Sequence, residues 1–314
     1  MFVLPPASGG EIRREHRNWL SKGRLQATGS LEEMLLVTLR RIGHAVPDEG
    51  MAALRFWGQT GERSGAWMAA ADPVHLEARL DHLRLHAFRG EEIAKRELRD
   101  LFSSLQEFVA VDDRFSFARL GPLAYLRSQD PIVTATCSPL TIDGLEPGEF
   151  MPDGPAAAAH DRLLGELQMV LHEHAINAKR ASAGLRTINS IWIWGGGIAP
   201  QPEERPIAPL FSDDPLFRGY WKSKCGSANF WMEDIEDALQ LAPEGFVAVA
   251  PDVDASPAVM ADRLDGFRRT LKRGDLRSLT LLFRDGLSID IGRRDGLRFW
   301  RRLSPLLDTP RHDD

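Results

Sequence analysis

His174-Ala-Ile-Asn177-Ala-Lys-Arg180-Ala-Ser-Ala-Gly184-Leu-Arg-Thr-Ile-Asn189-Ser-Ile-Trp-Ile-Trp194-Gly195-Gly196-Gly197 is the stretch on which the fold turns. Upstream of it, Leu163, Leu167, Val170, Leu171 and His174 recur at helical spacing. One long helix is therefore expected from near Pro155 toward Arg180, the longest of the chain. Asn189 opens an apolar run in which Ile191 and Ile193 alternate with Trp192 and Trp194. A strand buried on both faces fits this, with the indoles in core packing rather than on a ligand. Gly195, Gly196 and Gly197 then stand where an anion-cradling loop could form. They lack the spacing of a phosphate-binding loop or a dinucleotide fingerprint, and a tight turn or close packing reads as well.

Outward from that stretch the texture is mixed. Phe2-Val-Leu4 reads as a short strand stopped by Pro5 and Pro6. Helices are expected over 11–22 and from the capping-box spacing of Ser30 and Glu33 through Met34 to about Gly43. Strands follow at 66–71 and 82–88, then a helix over 91–108 and a Pro/Gly-rich loop at 145–154. In the last third, the strand 246–250 leads into a helix with Met260, Leu264, Phe267 and Leu271 on one face. The strand 279–283 comes next. Strand–helix–strand at this spacing is a right-handed crossover and predicts a parallel sheet.

Composition narrows the class. The chain has 314 residues and a formal net charge of -6. That is enough chain for one large or two medium domains. No long basic run stands out, and Arg268, Arg269, Lys272, Arg273 and Arg277 read as a solvated helix face. Nucleic acid is therefore not an expected partner. Cys137 and Cys225 lie far apart and point to a reducing compartment rather than a disulfide scaffold. No apolar stretch reaches membrane-spanning length and the N-terminus has no signal-peptide pattern, so a cytoplasmic protein with no membrane partner is expected.

The quoted stretch resembles a motif of archaeal-type cofactor-independent phosphoglycerate mutases: an Asn and an Arg three apart, a Gly, and an Asn opening an apolar strand that ends in glycines. Ser64-Gly-Ala-Trp-Met-Ala-Ala-Ala-Asp72 looks like the strand with which that family's inserted domain begins. Residues 246–283 look like the closing crossover of the alkaline-phosphatase superfamily. A divergent bacterial branch, filed as regulatory proteins of the RpfE type, looks closer still through Trp19-Leu-Ser-Lys-Gly-Arg24 and Ala71-Asp-Pro-Val-His-Leu76. The resemblance implies an α/β fold whose parallel-rich sheet core, of alkaline-phosphatase type, is interrupted by an inserted α+β domain. The expected division is 1–62 for the first part of the core, 63–185 for the insert and 186–314 for the rest of the core.

The resemblance also implies two metal ions that activate a Ser or Thr. Strand one of the family ends in a metal-binding Asp, where this chain reads Leu4-Pro5-Pro6-Ala7-Ser8. The last core strand ends in Asp-His there and in Phe283-Arg284-Asp285-Gly286 here. No metal and no cofactor are expected on these grounds.

Other candidates for chemistry are sparse. His172 and His174, two apart on a helix, point away from each other and cannot chelate together. Asp72 and His75 could form an acid–base pair, or Asp72-Pro73 could start a turn. Asp252 and Asp254 follow a strand end, where α/β ligand sites lie, or cap a loop. Arg180 could clamp an anion through its forked donors. Alternatively Asn177, Arg180 and Asn189 could tie the inserted domain to the core. Three polar residues beside a Gly-rich strand end favour the anion role. The expected protein is a degenerate, mutase-like regulator that binds a small anion or a protein partner between its domains. An enzyme with a rebuilt phosphoryl-transfer site is the alternative.

Overall fold

The computed structural model describes residues 1–7, 12–27, 31–111, 114–251, 256–298 and 300–307. The chain divides into two compact units, one of residues 1–44 with 202–314 and one of residues 45–201. These limits differ from the 63 and 185 expected from sequence.

The first unit is a seven-stranded sheet with helices. Its elements are β1 (Phe2–Leu4), α1 (Arg14–Leu20), β2 (Arg24–Ala27) and α2 (Met34–Arg41) before the break in the chain. The second unit supplies α3 (Met51–Thr60), β3 (Met68–Ala78), β4 (Leu83–Ala87), α4 (Lys95–Val109), β5 (Phe115–Leu120), β6 (Leu123–Ser128), α5 (Ala158–Glu173), α6 (Ala175–Ser182) and β7 (Ser190–Gly197). The first unit resumes with β8 (Leu210–Ser212), α7 (Pro215–Ser223), β9 (Ala228–Asn229), α8 (Ile235–Leu241), β10 (Val247–Val249), α9 (Pro257–Arg273), β11 (Ser278–Phe283) and β12 (Leu287–Gly292).

In the first unit the strand order is β2-β12-β11-β1-β10-β8-β9. The five strands from β11 to β9 run parallel, and β12 and β2 close one edge antiparallel. β1, β8 and β10 are buried along their whole length, the pattern of parallel strands covered on both faces. The crossover β10-α9-β11 spans β1, which lies between those strands. Helix α9 starts cleanly because Ser256 accepts the N–H of Val259 and Pro257 fills the first turn. It stops at Gly274, whose φ of 93° is the left-handed cap. Met260, Leu264, Phe267 and Leu271 are all buried against the sheet, with the Phe267 ring 4.4 Å from that of Phe2.

The second unit is antiparallel. β3 pairs with β7 along one edge, while its other edge is shared by β6 and β4. This corrects one expectation: the strand of the quoted stretch does not join the parallel core. It pairs with β3, from Val74↔Ser190 to Met68↔Gly197. Ile191 and Ile193 face a core filled by α4 and α5, and Trp192 and Trp194 are buried on the opposite face.

The long helix toward Arg180 is also corrected. It breaks at His174, whose ψ of 128° leaves the helical region. The His174 ring accepts the N–H of Ile176 on Nδ1 and donates from Nε2 to Ser104 Oγ at 3.1 Å. It therefore ends α5 and caps α6, a role more often taken by Ser, Thr, Asp or Asn. The longest helix is α9, with 17 residues against 16 for α5. Helix α2 begins at Met34 without a side-chain cap, and Ser30 lies outside the described residues.

No helix among the described residues is long and apolar enough to cross a membrane.

Helices α1 and α9 are joined by a contact that sets a pH dependence. His16, fully buried, donates from Nε2 to Asp265 Oδ1 at 3.0 Å, and its Nδ1 is buried without a partner. The hydrogen bond from His16, aided by Arg268 and Arg269, holds the Asp265 carboxyl below its ordinary range. A carboxyl depressed in the folded state adds stability above its unfolded pKa of about 4 and loses it as pH falls through the folded value. Denaturant unfolding of wild type and Asp265→Asn should show the variant less stable near neutrality. The gap should shrink below about pH 3. A gap independent of pH contradicts this reading.

Candidate functional site

The candidates of the quoted stretch fall within the second unit and are engaged by the protein itself. Asn177 donates to the carbonyls of Leu171 and Ile188 and accepts the N–H of Ile188, all at 2.7–2.8 Å. Arg180 is 3% exposed. Its Nε donates to Arg186 O at 2.7 Å, Nη1 to Glu97 at 2.9 Å and Nη2 to Glu92 O at 3.2 Å, with Phe88 against its face. The same Glu97 oxygen accepts the N–H of Ala94 ahead of α4. Asn189 accepts the N–H of Leu76 and donates to its carbonyl, adding a side-chain rung to the β3 ladder. These side chains point to separate partners, all within the second unit, rather than to one shared space for an anion or across to the first unit.

The three glycines serve close approach. Gly196 O accepts the N–H of Gly50, just before α3. A Cβ on Gly197 would stand 2.3 Å from Gly50 N, and one on Gly195 3.1 Å from Met51 Cβ. Gly195 and Gly197 have φ of 63° and 146°, a region side chains avoid. Helix α3 therefore packs directly on the end of β7. That is the packing alternative rather than the cradle.

Asp72 and His75 do not meet. Three apart on a strand, they face opposite sides. Asp72 receives Arg55 Nη1 at 2.8 Å and the Trp194 indole N–H at 2.7 Å. Arg55 is 6% exposed, lies between the rings of Tyr125 and Trp194, and donates to Ala124 O. Burial by itself lowers the Arg55 pKa, but the facing Asp72 more than offsets it, and the guanidinium is held above its ordinary value. Burial pushes the Tyr125 phenol up to about 12, and its hydroxyl donates to Gln59. His75 donates instead from Nδ1 to Thr187 O at 2.9 Å, and burial lowers its pKa. The Arg55 network was missed at sequence level. Its signal was a lone arginine in an otherwise apolar helix, Met51-Ala-Ala-Leu-Arg55-Phe-Trp57.

In the first unit, the C-terminal ends of β1, β8, β10 and β11 form the edge where ligands of open parallel sheets bind. Asp252 and Asp254 belong to this edge in sequence but lie outside the described residues. After β1 the chain runs Pro5-Pro6-Ala7, and Asp285 Oδ2 accepts the N–H of Ala7 at 3.0 Å. Arg284 sits beside it, its N–H bonded to Leu4 O. Asp213 accepts the N–H of Trp231, and Asp214 caps α7 through Leu216 and Phe217. Arg218 donates to Ser212 O and Asn229 O under the exposed ring of Phe230. Among the described residues no group of three or more His, Cys, Asp or Glu is placed to hold a metal ion. At this edge Asp213 and Asp285 each accept a backbone N–H, and Arg284 stands beside Asp285.

Removing Asp72 strands a buried cation. Asp72→Ala should cost about 3–5 kcal/mol of unfolding free energy, and Asp72→Ala with Arg55→Met should recover part of it. Equal stability of the single and double variants in denaturant titration would contradict the pairing.

Relatives can now be set beside this geometry. The 2,3-bisphosphoglycerate-independent phosphoglycerate mutase of Methanosarcina barkeri is 27% identical over 137 residues, 42% of this chain and 34% of that protein. A probable enzyme of the same name from Geobacter sulfurreducens is 28% identical over 130 residues, 41% of this chain and 32% of that protein. A Methanothermobacter thermautotrophicus protein of that name is 39% identical over 66 residues, 21% and 16% of the two chains. The chain thus matches about a third or less of these relatives' length. Among solved structures, a cofactor-independent phosphoglycerate mutase from Thermoplasma acidophilum is 16% identical with a TM-score of 0.41, covering 93% of this chain and 89% of that one. A Pyrococcus horikoshii protein is 13% identical with a TM-score of 0.46, covering 93% and 86%. No family model matches the chain. Over the matched stretches, the chain is a distant homologue of the cofactor-independent phosphoglycerate mutases of archaeal type.

Proposed function

We propose that this chain is a phosphoglycerate-mutase-like protein that has lost the two-metal phosphoryl-transfer site and acts as a regulatory protein, binding a small anion or a protein partner. The observation that carries the reading is the pair Arg284-Asp285 at the end of β11. The resemblance implies Asp-His there, and an Asp at the end of β1. In this chain Asp285 fastens the loop after β1 by accepting the N–H of Ala7, and Arg284 places a fixed positive charge beside it. A guanidinium at that position repels a divalent cation instead of helping to hold one. The likeness to regulatory proteins of the RpfE type supports the regulatory part, and Asn177, Arg180 and Asn189 then belong to the scaffold of the second unit.

The homology to mutases favours a second reading, a phosphoryl-transfer enzyme with a rebuilt site. A coupled assay for interconversion of 2- and 3-phosphoglycerate separates the two, run with and without manganese and accompanied by elemental analysis of dialysed protein. The proposal expects a rate equal to buffer and no stoichiometric manganese or zinc. A rate that tracks the purified protein, or two metals per chain, overturns it.

A further inference from the structure

His75 on β3 and His86 on β4 stand directly opposite each other in the antiparallel pairing of the second unit. Directly opposed residues share one face of a sheet, so both imidazoles project from the same side. Their ring centroids are 6.1 Å apart and their planes are inclined at 34°. Neither ring is sealed in the core; both are partly buried.

Each ring is fixed by a hydrogen bond that also sets its tautomer. His75 Nδ1 lies 2.9 Å from Thr187 O, a carbonyl that can only accept, so Nδ1 carries the proton. His86 Nε2 lies 2.9 Å from Glu77 Oε2, and the carboxylate likewise requires a proton on the nitrogen. The neutral rings then keep their lone pairs on His75 Nε2 and His86 Nδ1. Neither of these two atoms has a hydrogen-bond partner among the described residues. A histidine that ligates a metal almost always donates its other N–H to a carboxylate, a backbone carbonyl or water. This pair has one carbonyl and one carboxylate, and Glu77 is itself held by Arg79 at 3.0 Å. Distance agrees as well. A ring centroid stands about 3.2 Å from a metal that its nitrogen binds at about 2.0–2.1 Å, so two rings on one ion lie within about 6.4 Å. The observed separation is inside that limit, and a tetrahedral angle at the metal needs the rings to close by about 1 Å.

We propose that His75 Nε2 and His86 Nδ1 bind one divalent transition-metal ion of the kind that prefers imidazole, copper(II) or zinc, with Glu77 as a positioning residue. Nitrogen donors suit these ions, whereas carboxylate, carbonyl and water ligands suit magnesium and manganese. Among the described residues no third His, Cys, Asp or Glu is placed to close the site. Water therefore completes the coordination, and the ion is exchangeable rather than structural. Arg186 brings positive charge toward His75, but it is exposed, so water and salt screen it. The site uses none of the residues in which the likeness to mutases implies metal ligands. It qualifies the expectation of no metal, which rested on those residues alone.

The test is calorimetric titration of the whole dialysed chain with copper(II), zinc and, as a hard-ion control, manganese. One copper(II) per chain is expected, with zinc bound more weakly and manganese not taken up by this pair. The electron paramagnetic resonance spectrum of the copper complex should carry the nitrogen splitting of two imidazoles. His75→Ala and His86→Ala should each lose the stoichiometric binding, and Glu77→Ala should weaken it about tenfold. His172→Ala, at an exposed histidine of α5, should bind as wild type does. Far-ultraviolet circular dichroism checks that the variants stay folded, and His75→Gln and His86→Gln replace any alanine variant that does not. Absence of copper binding by the wild type, or binding that survives loss of either His75 or His86, overturns the proposal.

Discussion

The second unit depends on how β7 lies against β3. Asn189 holds both the N–H and the carbonyl of Leu76, so the register is set at the first residues of the pairing. A slip of one residue would exchange Ile191 and Ile193 with Trp192 and Trp194 across the sheet. Each indole would then lose its acceptor, Cys137 O for Trp192 and Asp72 for Trp194. At the far end of the strand, Gly195 and Gly197 let α3 sit directly on β7, and α3 brings Arg55 under the sheet to meet Asp72. Register, helix docking and the buried ion pair thus form one chain of consequences.

Arg180 ties other parts of the second unit together. Its contact to Glu97 joins α6 to the start of α4, and its contact to Arg186 O fixes the turn that leads into β7. A buried charge is tolerated because every direction it faces offers an oxygen or an aromatic face. The residues that carry the likeness to phosphoglycerate mutases are therefore informative about architecture. They say little about chemistry, since their polar atoms are consumed in holding the second unit together. The chemistry of a parallel sheet lies at its strand ends, and there Arg284 and Asp285 stand where the likeness implies metal ligands.

Legibility followed the physics of each element. The strand β10, the helix α9 with its four buried apolar residues, and the strand β11 were readable, because period and caps agree there. The parallel arrangement followed from the crossover. The placement of β7 was not readable, since a strand buried on both faces has the same alternation whichever sheet it joins. The break at His174 was hidden because a histidine cap has no place in the usual capping signals. For Asn177 and Arg180 the sequence leaned toward an anion, because an Arg three residues from an Asn beside a Gly-rich strand end suits a ligand as well as a backbone turn; their burial and their partners within the second unit decide against it. The pairing of Arg55 with Asp72 depends on a contact between elements, which no local pattern encodes.

The central claim is that Arg180 is a strut of the second unit rather than a receptor for an anion. Thermal and denaturant unfolding of wild type and Arg180→Ala, each with and without phosphate or phosphoglycerate, tests it most directly. The account predicts that the variant loses about 2–4 kcal/mol of stability without any ligand and that neither anion stabilises the wild type through this residue. A variant as stable as wild type, together with anion stabilisation that only the wild type shows, would contradict it.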